Sequence, residues 1–273
     1  MHKDFIHEAS HHDSEAGFVE AFWTENWKRA GGVENRAHHF AKTIRRFRWK
    51  SEWRIMEPYF RKLPEGAVIV DGGCGTGEWC RFLTESGYPT IGVDISRETI
   101  EELRKLFPND RFEAGDIRHL DFESNSVDVY YSWGTFEHFE IGINDCVAEA
   151  HRILKPGGML FITVPFDHVF LALSRTFGSP KGRARQDDER FYQWRFTRSE
   201  ISRELRLMGF DVENMLPIHR RQSIVRALHR GFGINYNNPI ARGLGISVGA
   251  ISPRMMSGHM LMVAARKPFE NKV

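Results

Sequence analysis

Short β-branched runs alternate with helical segments over about one hundred residues, from Ala67 to Val164. The first run, Val68-Ile69-Val70, is apolar at every position, which is typical of a strand buried on both faces of a parallel sheet. Repeated strand–helix–strand units need right-handed crossovers that place helices on both sides of such a sheet. The sequence therefore predicts an α/β fold with a doubly wound, mostly parallel sheet.

The carboxyl ends of these strands mark where a binding site is expected. Ligands of open parallel sheets bind beyond the carboxyl ends of the strands, where the winding reverses. We therefore expect functional residues directly after Val70, Val93, Ala114 and Tyr131. The first five predicted strands are 68–70, 90–94, 111–114, 127–131 and 159–164.

The segment before the first strand has helical periodicity from about residue 18 to residue 60, and Gly31-Gly32 divides it into two helices. The polar residues 1–16 are expected to form a loose arm. We expect residues 1–66 to form an N-terminal helical cap, and residues 18–60 of it to close over the binding edge of the sheet. One apolar stripe at helical spacing contains Trp49, Trp53, Met56 and Phe60.

Composition excludes several classes of protein. Hydrophobic residues make up 41% of the 273 residues and charged residues 27%, so neither disorder nor a fibrous structure is indicated. The 38 basic and 36 acidic side chains nearly balance, which does not favour nucleic acid as a partner of the whole chain. No apolar run reaches the roughly 18–20 residues that span a bilayer, and the amino terminus has no apolar signal core, so we expect a cytoplasmic protein.

Neither the cysteines nor the histidines are spaced for a metal site. Cys74, Cys80 and Cys146 are an odd, sparse set that lacks the two-residue gap of a zinc knuckle. The pairs His11-His12 and His38-His39 are adjacent, and adjacent residues of a helix point about 100° apart. We therefore expect no metal site.

A glycine-rich turn follows the first strand. Asp71-Gly72-Gly73-Cys74-Gly75-Thr76-Gly77 spaces its last three glycines as G-x-G-x-G, whereas a dinucleotide site uses G-x-G-x-x-G. The run Val-Ile-Val-Asp-Gly-Gly-Cys-Gly-Thr-Gly resembles the first motif of the class I S-adenosylmethionine-dependent methyltransferases. Within that family the chain is most similar to the small-molecule "type 11" group, and S-adenosylmethionine is the cofactor that the resemblance implies.

The resemblance assigns roles to further residues. The acid that ends the second strand, Asp94, corresponds to the one that binds both ribose hydroxyls, and Ile95 lies against adenine. Asp116 and the backbone of Ile117 meet the adenine amino group, and the segment from Ser132 runs beneath the methionine part. The implied cofactor-binding residues are Asp71, Gly72, Gly73, Cys74, Gly75, Gly77, Asp94, Ile95, Asp116, Ile117, Ser132 and Trp133.

The resemblance covers residues 66–166 well and is weaker near 196–210 and 260–266. It implies a Rossmann-like methyltransferase sheet of seven strands, which closes with a helix, a sixth strand and an antiparallel seventh. We place these at 199–208, 211–216 and 259–265. The predicted parts are the cap at 1–66, the cofactor-binding core at 67–166, an acceptor-side insert at 167–198 and a C-terminal part at 199–273.

Methyl transfer is an in-line displacement that depends mainly on alignment, and a base is needed only for an acceptor that is protonated at neutral pH. His138, after the fourth strand, is the candidate catalytic base, because histidine titrates near neutrality. The alternative is that His138 packs and orders its loop. Glu137 is a weaker candidate. Cys74 and Cys80 have no activating partner in the sequence and are treated as bystanders.

Two segments outside the core bear on the acceptor. The segment 166–177 is rich in large apolar residues and precedes a polar stretch at 181–190. It predicts either a buried helix with a surface loop, or an apolar lid over the acceptor or a membrane-touching patch with a basic rim. The link 218–257 is basic, and it predicts either a solvated face or a site for an anionic or lipid-linked acceptor. Its basic residues include Arg220, Arg221, Arg226, His229, Arg230, Arg242 and Arg254.

The sequence bears on three other functions. A nicotinamide-dependent oxidoreductase is disfavoured by the glycine spacing and by Asp116. A non-catalytic module that binds S-adenosylmethionine or a protein partner is compatible with the sequence. Nucleic-acid methylation is disfavoured because Ser-Trp-Gly-Thr stands where base-modifying enzymes carry an Asn-Pro-Pro-Tyr-like motif. The sequence does not determine the oligomeric state.

Overall fold

The computed structural model describes residues 1–7, 14–168, 189–232, 235, 238–239, 243–247, 253 and 258–269. Strands and helices alternate through the middle of the chain. The strands are β1 (His2–His7), β2 (Ile69–Gly72), β3 (Thr90–Asp94), β4 (Arg111–Ala114), β5 (Val127–Trp133), β6 (Leu154–Pro165), β7 (Glu189–Arg195), β8 (Asp211–Ile218) and β9 (Met260–Arg266). The α-helices are α1 (Glu15–Arg29), α2 (Gly32–Thr43), α3 (Ser51–Phe60), α4 (Glu78–Glu85), α5 (Arg97–Leu106), α6 (Asn144–Ile153), α7 (Arg198–Leu207) and α8 (Arg220–Phe232).

Seven strands form the central sheet in the order β4-β3-β2-β5-β6-β9-β8. Neighbouring strands are parallel except at β9, which is antiparallel to both β6 and β8. The predicted doubly wound, mostly parallel Rossmann-like sheet is confirmed. The winding reverses between β2 and β5, and their carboxyl ends form the crevice in which such sheets bind ligands.

Both faces of the sheet are buried, as the unbroken apolar runs predict. Tyr130 of β5 packs into a core formed with α6 and α7, whereas its neighbours Val129 and Tyr131 pack on the opposite face with α3 and α4. All three side chains are fully buried. This double burial fixes β5 at the centre of the sheet and so fixes the segment that follows it.

The N-terminal region contains the predicted break at Gly31-Gly32, and Ser14 caps α1 by accepting a hydrogen bond from the Gly17 N–H. The predicted stripe is wrong at Trp49, which is 81% exposed. Lys50 is extended, with a φ of −66° and a ψ of 144°, so α3 starts after it and Trp49 belongs to the preceding 3-10 helix. Helix α3 packs on the sheet itself, because the Tyr59 ring lies 5.4 Å from that of Phe161.

The prediction of a loose arm is wrong for residues 2–7. They form β1, which pairs antiparallel with β7 in a separate two-stranded sheet. Arg195 of β7 is buried and forms an ion pair with Asp4 of β1 at 2.7 Å. The sequence gives no local sign of this strand because its partner lies almost 190 residues away.

The basic link 218–257 contains a helix near its start. Strand β8 continues to Ile218, and α8 begins at Arg220 after His219, a residue with a positive φ of 59°. The segments 169–188 and most of 240–257, including Arg242 and Arg254, lie outside the described residues. Within the described helices, none is both long and apolar enough to cross a bilayer.

Candidate functional site

A cavity of about 230 Å³ lies beyond the carboxyl ends of β2, β3, β4 and β5. It is walled on the open side by α1 and by Arg36 of α2. The structure brings most of the predicted site residues together here. Those that line the cavity are Asp71, Gly73, Cys74, Gly75, Asp94, Ile95, Asp116, Ile117, Trp133 and His138.

The glycine turn brings the backbone close to the cavity. Gly75 has a φ of +52°, and a Cβ atom there would lie 2.7 Å from the Trp27 ring. Gly73 has a φ of +80°, and its Cβ would lie 2.4 Å from the Thr135 hydroxyl. Glycine is required at both positions because a side chain would be strained and would also fill the cradle between the turn and its neighbours.

Asp94 ends β3 with its carboxylate at the cavity wall. Its two oxygens accept hydrogen bonds from the backbone N–H groups of Gly75, at 2.7 Å, and Ser96, at 3.0 Å. Burial raises the pKa of Asp94 above its usual value, and these N–H groups oppose the shift by stabilising the carboxylate. The carboxylate is therefore held rigidly between the glycine turn and the start of α5.

Asp116 follows β4 and is held by Arg118. The guanidinium donates to both carboxylate oxygens, with Nη2 at 2.7 Å from Oδ2 and Nε at 3.0 Å from Oδ1. Burial alone would raise the pKa of Asp116, but Arg118 outweighs it and holds the pKa below its usual value. Arg118 also binds Glu15 of α1 at 2.7 Å, which ties the helical wall to the sheet.

Asp71 is almost completely buried at the end of β2. Its Oδ2 accepts a hydrogen bond from the Cys80 thiol at 3.3 Å, whereas Oδ1 has no partner among the described residues. Burial raises the pKa of Asp71 to about 7. Burial also raises the pKa of the Cys74 thiol to about 11, so this thiol is protonated and unreactive at neutral pH, as expected for a bystander.

Three of the predicted site residues do not line the cavity. Ser132 is buried behind the wall, where its hydroxyl donates to the Gly72 carbonyl at 2.6 Å. Gly72 lies so close to Tyr130 that a Cβ would be 1.8 Å from the phenol oxygen. Gly77 is the N-cap of α4. All three shape the turn from behind rather than facing the cavity.

The sequence analysis predicts helices over the binding edge but names none of the side chains of α1 and α2 that line the cavity. The rings of Trp23 and Trp27, one helical turn apart, stack with centroids 5.3 Å apart over the cavity. Arg36 lies against Trp27 and donates to the Thr76 hydroxyl at 3.0 Å. The four-residue spacing of the two tryptophans places them on one helix face and could have signalled this wall.

A second, larger cleft of about 1120 Å³ opens next to the first cavity. Its walls come from β7, the end of β8, the start of α8 and the segment before α3. The two spaces meet at the shared residues Trp23, Trp79, Trp133, Gly134 and His138. Basic side chains dominate the charged lining of the cleft, namely Lys50, Arg54, Arg220, Arg221 and Arg226.

Three of these cations have no ion-pair partner among the described residues. Lys50, Arg54 and Arg221 have no carboxylate within 4.0 Å in the part of the chain that the structure describes. The Lys50 ammonium lies 3.5 Å from the centroid of the Phe47 ring, and burial lowers its pKa. Glu52, which also lines the cleft, is bound by His219 at 2.7 Å.

His138 lies where the two spaces meet. Its Nδ1–H donates to the Tyr192 carbonyl of β7 at 2.7 Å, and the Trp23 ring packs against it with centroids 4.9 Å apart. Burial lowers the pKa of His138 to about 4, so the ring is neutral at pH 7. The ring is enclosed by the aromatic side chains of Trp23 and Tyr192, and its role as a catalytic base stays a prediction.

Glu137 lines the larger cleft and is almost completely buried. Its Oε2 has no hydrogen-bond partner among the described residues, and Oε1 lies 4.0 Å from His138 Nε2. Burial raises the pKa of Glu137 to about 8, although the charge of Arg195 opposes the shift. The side chain is therefore mostly protonated at pH 7.

Several polar atoms of the cavity wall have no hydrogen-bond partner among the described residues, and they suit the polar groups of S-adenosylmethionine. Asp71 Oδ1 can accept a hydrogen bond, whereas Trp27 Nε1 and Trp133 Nε1 can donate one, and each lacks a partner among the described residues. A cofactor with an ammonium, a carboxylate and a ribose diol offers both kinds of group. Together with the antiparallel β9 and the glycine turn, these features resemble the S-adenosylmethionine-binding domain of the class I methyltransferases.

Comparisons with known proteins agree. Residues 70–162 match the family model described as "Methyltransferase domain". A malonyl-[acyl-carrier protein] O-methyltransferase of Pectobacterium atrosepticum is 29% identical over 112 residues, which is 41% of this chain and 44% of that protein. A probable S-adenosylmethionine-dependent methyltransferase of Mycolicibacterium smegmatis is 25% identical over 153 residues, 56% of this chain and 55% of that protein.

Solved structures share the fold. A S-adenosylmethionine-dependent methyltransferase of Methanosarcina mazei superposes with a TM-score of 0.54 at 19% identity, over 78% of this chain and 98% of that one. The chain spans about half the length of the curated relatives it matches. The likeness thus covers the cofactor-binding core, and the larger cleft must be interpreted from its own residues.

Proposed function

We propose that this chain transfers a methyl group from S-adenosylmethionine in the smaller cavity to an anionic, small or lipid-linked acceptor in the larger cleft. One observation carries the proposal: the two spaces meet at a junction lined by His138, Trp133 and Gly134. A methyl donor and an acceptor placed on the two sides of this junction could approach each other there, away from bulk water.

The cavity residues supply complementary groups for each part of the cofactor. Asp94 presents a carboxylate for the ribose diol, and Asp116, held by Arg118, presents one for the adenine amino group. Asp71 Oδ1 is available to the ammonium of the methionine part. Arg36, which the sequence did not suggest, offers a cation for its carboxylate.

The protein contributes mainly position. S-adenosylmethionine, when bound, supplies an electrophilic methyl group on a sulfonium, so transfer depends on aligning the acceptor with it. Trp23 and His138 line the junction, where donor and acceptor would be held against each other. Holding two reactants in the correct geometry can lower the activation barrier by about 7–11 kcal/mol.

The cleft favours an anionic acceptor. Lys50, Arg54 and Arg221 have no ion-pair partners in the described part of the chain, and an acceptor with a carboxylate or a phosphate would neutralise them. The relative from Pectobacterium is named for an acyl group attached to a carrier protein, which supports a small or lipid-type acceptor.

Calorimetric titration with S-adenosylmethionine, S-adenosylhomocysteine and NAD tests the cofactor. We expect binding of the first two and not of NAD. Gly75→Ala should abolish binding, because its Cβ would lie 2.7 Å from the Trp27 ring. Gly243→Ala is the matched control, since a Cβ there meets nothing within 4 Å. Binding of NAD instead would support the oxidoreductase alternative.

A screen with labelled S-adenosylmethionine tests the acceptor. Carboxylate and phosphate compounds should accept label, whereas neutral analogues of the same size should not. Arg221→Glu should reduce transfer at least tenfold, whereas Arg45→Glu, an exposed residue outside both cavities, should not. Tight cofactor binding without transfer to any acceptor would instead indicate a non-catalytic binding module.

A further inference from the structure

Glu137 is a buried carboxyl group with no Lys or Arg side chain paired to it among the described residues. It lines only the acceptor side of the junction, whereas its neighbour His138 lines both sides. Its Oε2 is buried and has no hydrogen-bond partner among the described residues. A buried carboxyl oxygen without a partner costs free energy, so its presence at this place needs an explanation.

The charged and titratable groups around Glu137 do not account for the burial of its carboxyl group. Arg195 of β7 is the cation whose charge acts on it, but Arg195 is paired with Asp4 at 2.7 Å. His138, 4.0 Å away, is neutral at pH 7, because burial lowers its pKa. Tyr192 of β7 faces it as a neutral phenol whose pKa is raised by burial and by Glu137.

We propose that Glu137 takes the proton from the methyl acceptor, and that it becomes a carboxylate when the positively charged methyl donor binds in the neighbouring cavity. This inference rests on the proposed function. It applies to an acceptor that carries a proton on its nucleophilic atom, such as a hydroxyl or an ammonium that has first lost one proton. The anionic group that the basic side chains bind is then a separate part of the same molecule.

The charges balance over the reaction. A cation at the junction favours ionisation of Glu137, and its proton leaves to solvent. During transfer the acceptor's lone pair forms the bond to the methyl carbon, and the carbon–sulfur bond breaks with its electron pair retained by sulfur. The acceptor's proton passes to Glu137. The neutral thioether and the protonated Glu137 then match the state of the free protein, so the base exists only while the methyl donor is present.

Proton release on cofactor binding tests this without any acceptor. Burial raises the pKa of Glu137 to about 8, so about nine-tenths of it is protonated at pH 7. Calorimetry at pH 7 in buffers of different ionisation enthalpy measures the protons released. We expect close to one proton from Glu137 with S-adenosylmethionine and none from it with S-adenosylhomocysteine, which carries no sulfonium charge.

Glu137→Gln identifies the source of the proton. Glutamine resembles the protonated side chain, so the variant should fold and bind both ligands, and the release specific to S-adenosylmethionine should disappear. Any contribution from the ligand's own amino group is common to wild type and variant and cancels. The exposed Glu101→Gln is the matched control and should release as wild type does.

Asp4→Asn provides a second variant. It removes the carboxylate that neutralises Arg195, so the pKa of Glu137 should fall and the proton release at pH 7 should shrink. If S-adenosylmethionine binds but the release is the same in wild type and Glu137→Gln, the inference is wrong and the proposed function stands. If neither adenosyl ligand binds, both the proposed function and the inference that rests on it are wrong.

Discussion

Single carboxyl groups in this protein differ because their partners differ. Asp94 is held by two backbone N–H groups and Asp116 by the guanidinium of Arg118, whereas Glu137 is paired with no Lys or Arg in the part of the chain that the structure describes. Burial raises the pKa of Glu137 to about 8, whereas Arg118 keeps the pKa of Asp116 below its usual value. These differences underlie our proposals, which assign cofactor binding to Asp94 and Asp116 and proton exchange to Glu137.

Asp94→Asn should weaken S-adenosylmethionine binding about tenfold or more. The amide keeps one acceptor oxygen but loses the charge, and a hydrogen bond to a charged group contributes about 1.5–3 kcal/mol. Calorimetric titration measures the loss, with a thermal melt to confirm that the variant is folded. Asp121→Asn, an exposed carboxylate, is the control. An unchanged affinity would show that Asp94 only shapes the turn.

Glu137→Gln should change how stability depends on pH. The pKa of Glu137 is raised from 4.5 to about 8 in the folded protein, so between these pH values the folded state binds more protons than the unfolded state. Stability of the wild type should therefore fall, relative to the variant, as pH rises from about 4.5 to 8, by at most about 1.4 kcal/mol per unit.

Urea unfolding at pH 5, 6.5 and 8 measures this difference. Asp71 contributes in the same direction in both proteins and cancels in the comparison. Glu101→Gln should follow the wild type at each pH. Parallel curves for wild type and Glu137→Gln would mean that Glu137 ionises normally in the folded state.

Among the elements, α1 and β7 complete the site that the sheet begins. Helix α1 covers the glycine turn with Trp23 and Trp27, and it is fastened to the sheet through Glu15 and Arg118. Strand β7 supplies the carbonyl that orients His138, and β1 pairs with β7 along its length. Helix α3 of the predicted cap packs directly on the sheet. The boundary between a cap and a core at residue 66 stays a prediction.

Trp27→Ala should lower S-adenosylmethionine affinity while the fold remains. Burial of a large apolar side chain contributes about 1.5–3 kcal/mol, which corresponds to roughly a tenfold to hundredfold change in affinity if it is made against the cofactor. Trp27→Phe should recover part of the loss, because it restores the ring but not Nε1–H. Titration calorimetry measures both, and Glu25→Ala on the exposed face of α1 is the control.

An affinity that is unchanged in Trp27→Ala would contradict the role of α1 as a wall of the cofactor cavity. Deletion of the whole region would be less informative. Phe40, Phe47, Trp53, Met56 and Phe60 are part of the core on one face of the sheet, so their removal would unfold the protein.

At the scale of the whole molecule, two spaces with different charge meet at one junction. The smaller cavity presents the carboxylates Asp71, Asp94 and Asp116, whereas the larger cleft presents mostly cations. This division suits a cationic methyl donor on one side and an anionic acceptor on the other. The charge of the smaller cavity also disfavours a dinucleotide site, because the pyrophosphate of a dinucleotide would lie close to these carboxylates.

Cofactor binding should raise the melting temperature of the whole chain. A ligand at one hundred times its dissociation constant stabilises the folded state by about 2.7 kcal/mol. For a protein of this size that corresponds to roughly 5–10 °C. A thermal melt with S-adenosylhomocysteine should show this rise, and NAD at the same concentration should not. Equal shifts with both ligands would indicate that the cavity does not discriminate between them.

The sequence by itself determined the sheet and the residues at its carboxyl edge. Strands buried on both faces are predicted by local periodicity, whereas the G-x-G-x-G turn and the acids Asp94 and Asp116 are local motifs whose roles the family resemblance implies. The strand bounds agree to within a few residues, apart from β6, which starts at Leu154 rather than Met159.

Only the tertiary structure decided how the site is closed. The pairing of β1 with β7, the cover of Trp27 over Gly75 and the pairing of Arg195 with Asp4 all join segments far apart in the chain. No local pattern predicts such contacts, because they depend on which segments meet after the chain has folded. They enclose the His138 ring and place Arg195 against Asp4 rather than Glu137, which is the arrangement on which our proposal for Glu137 rests.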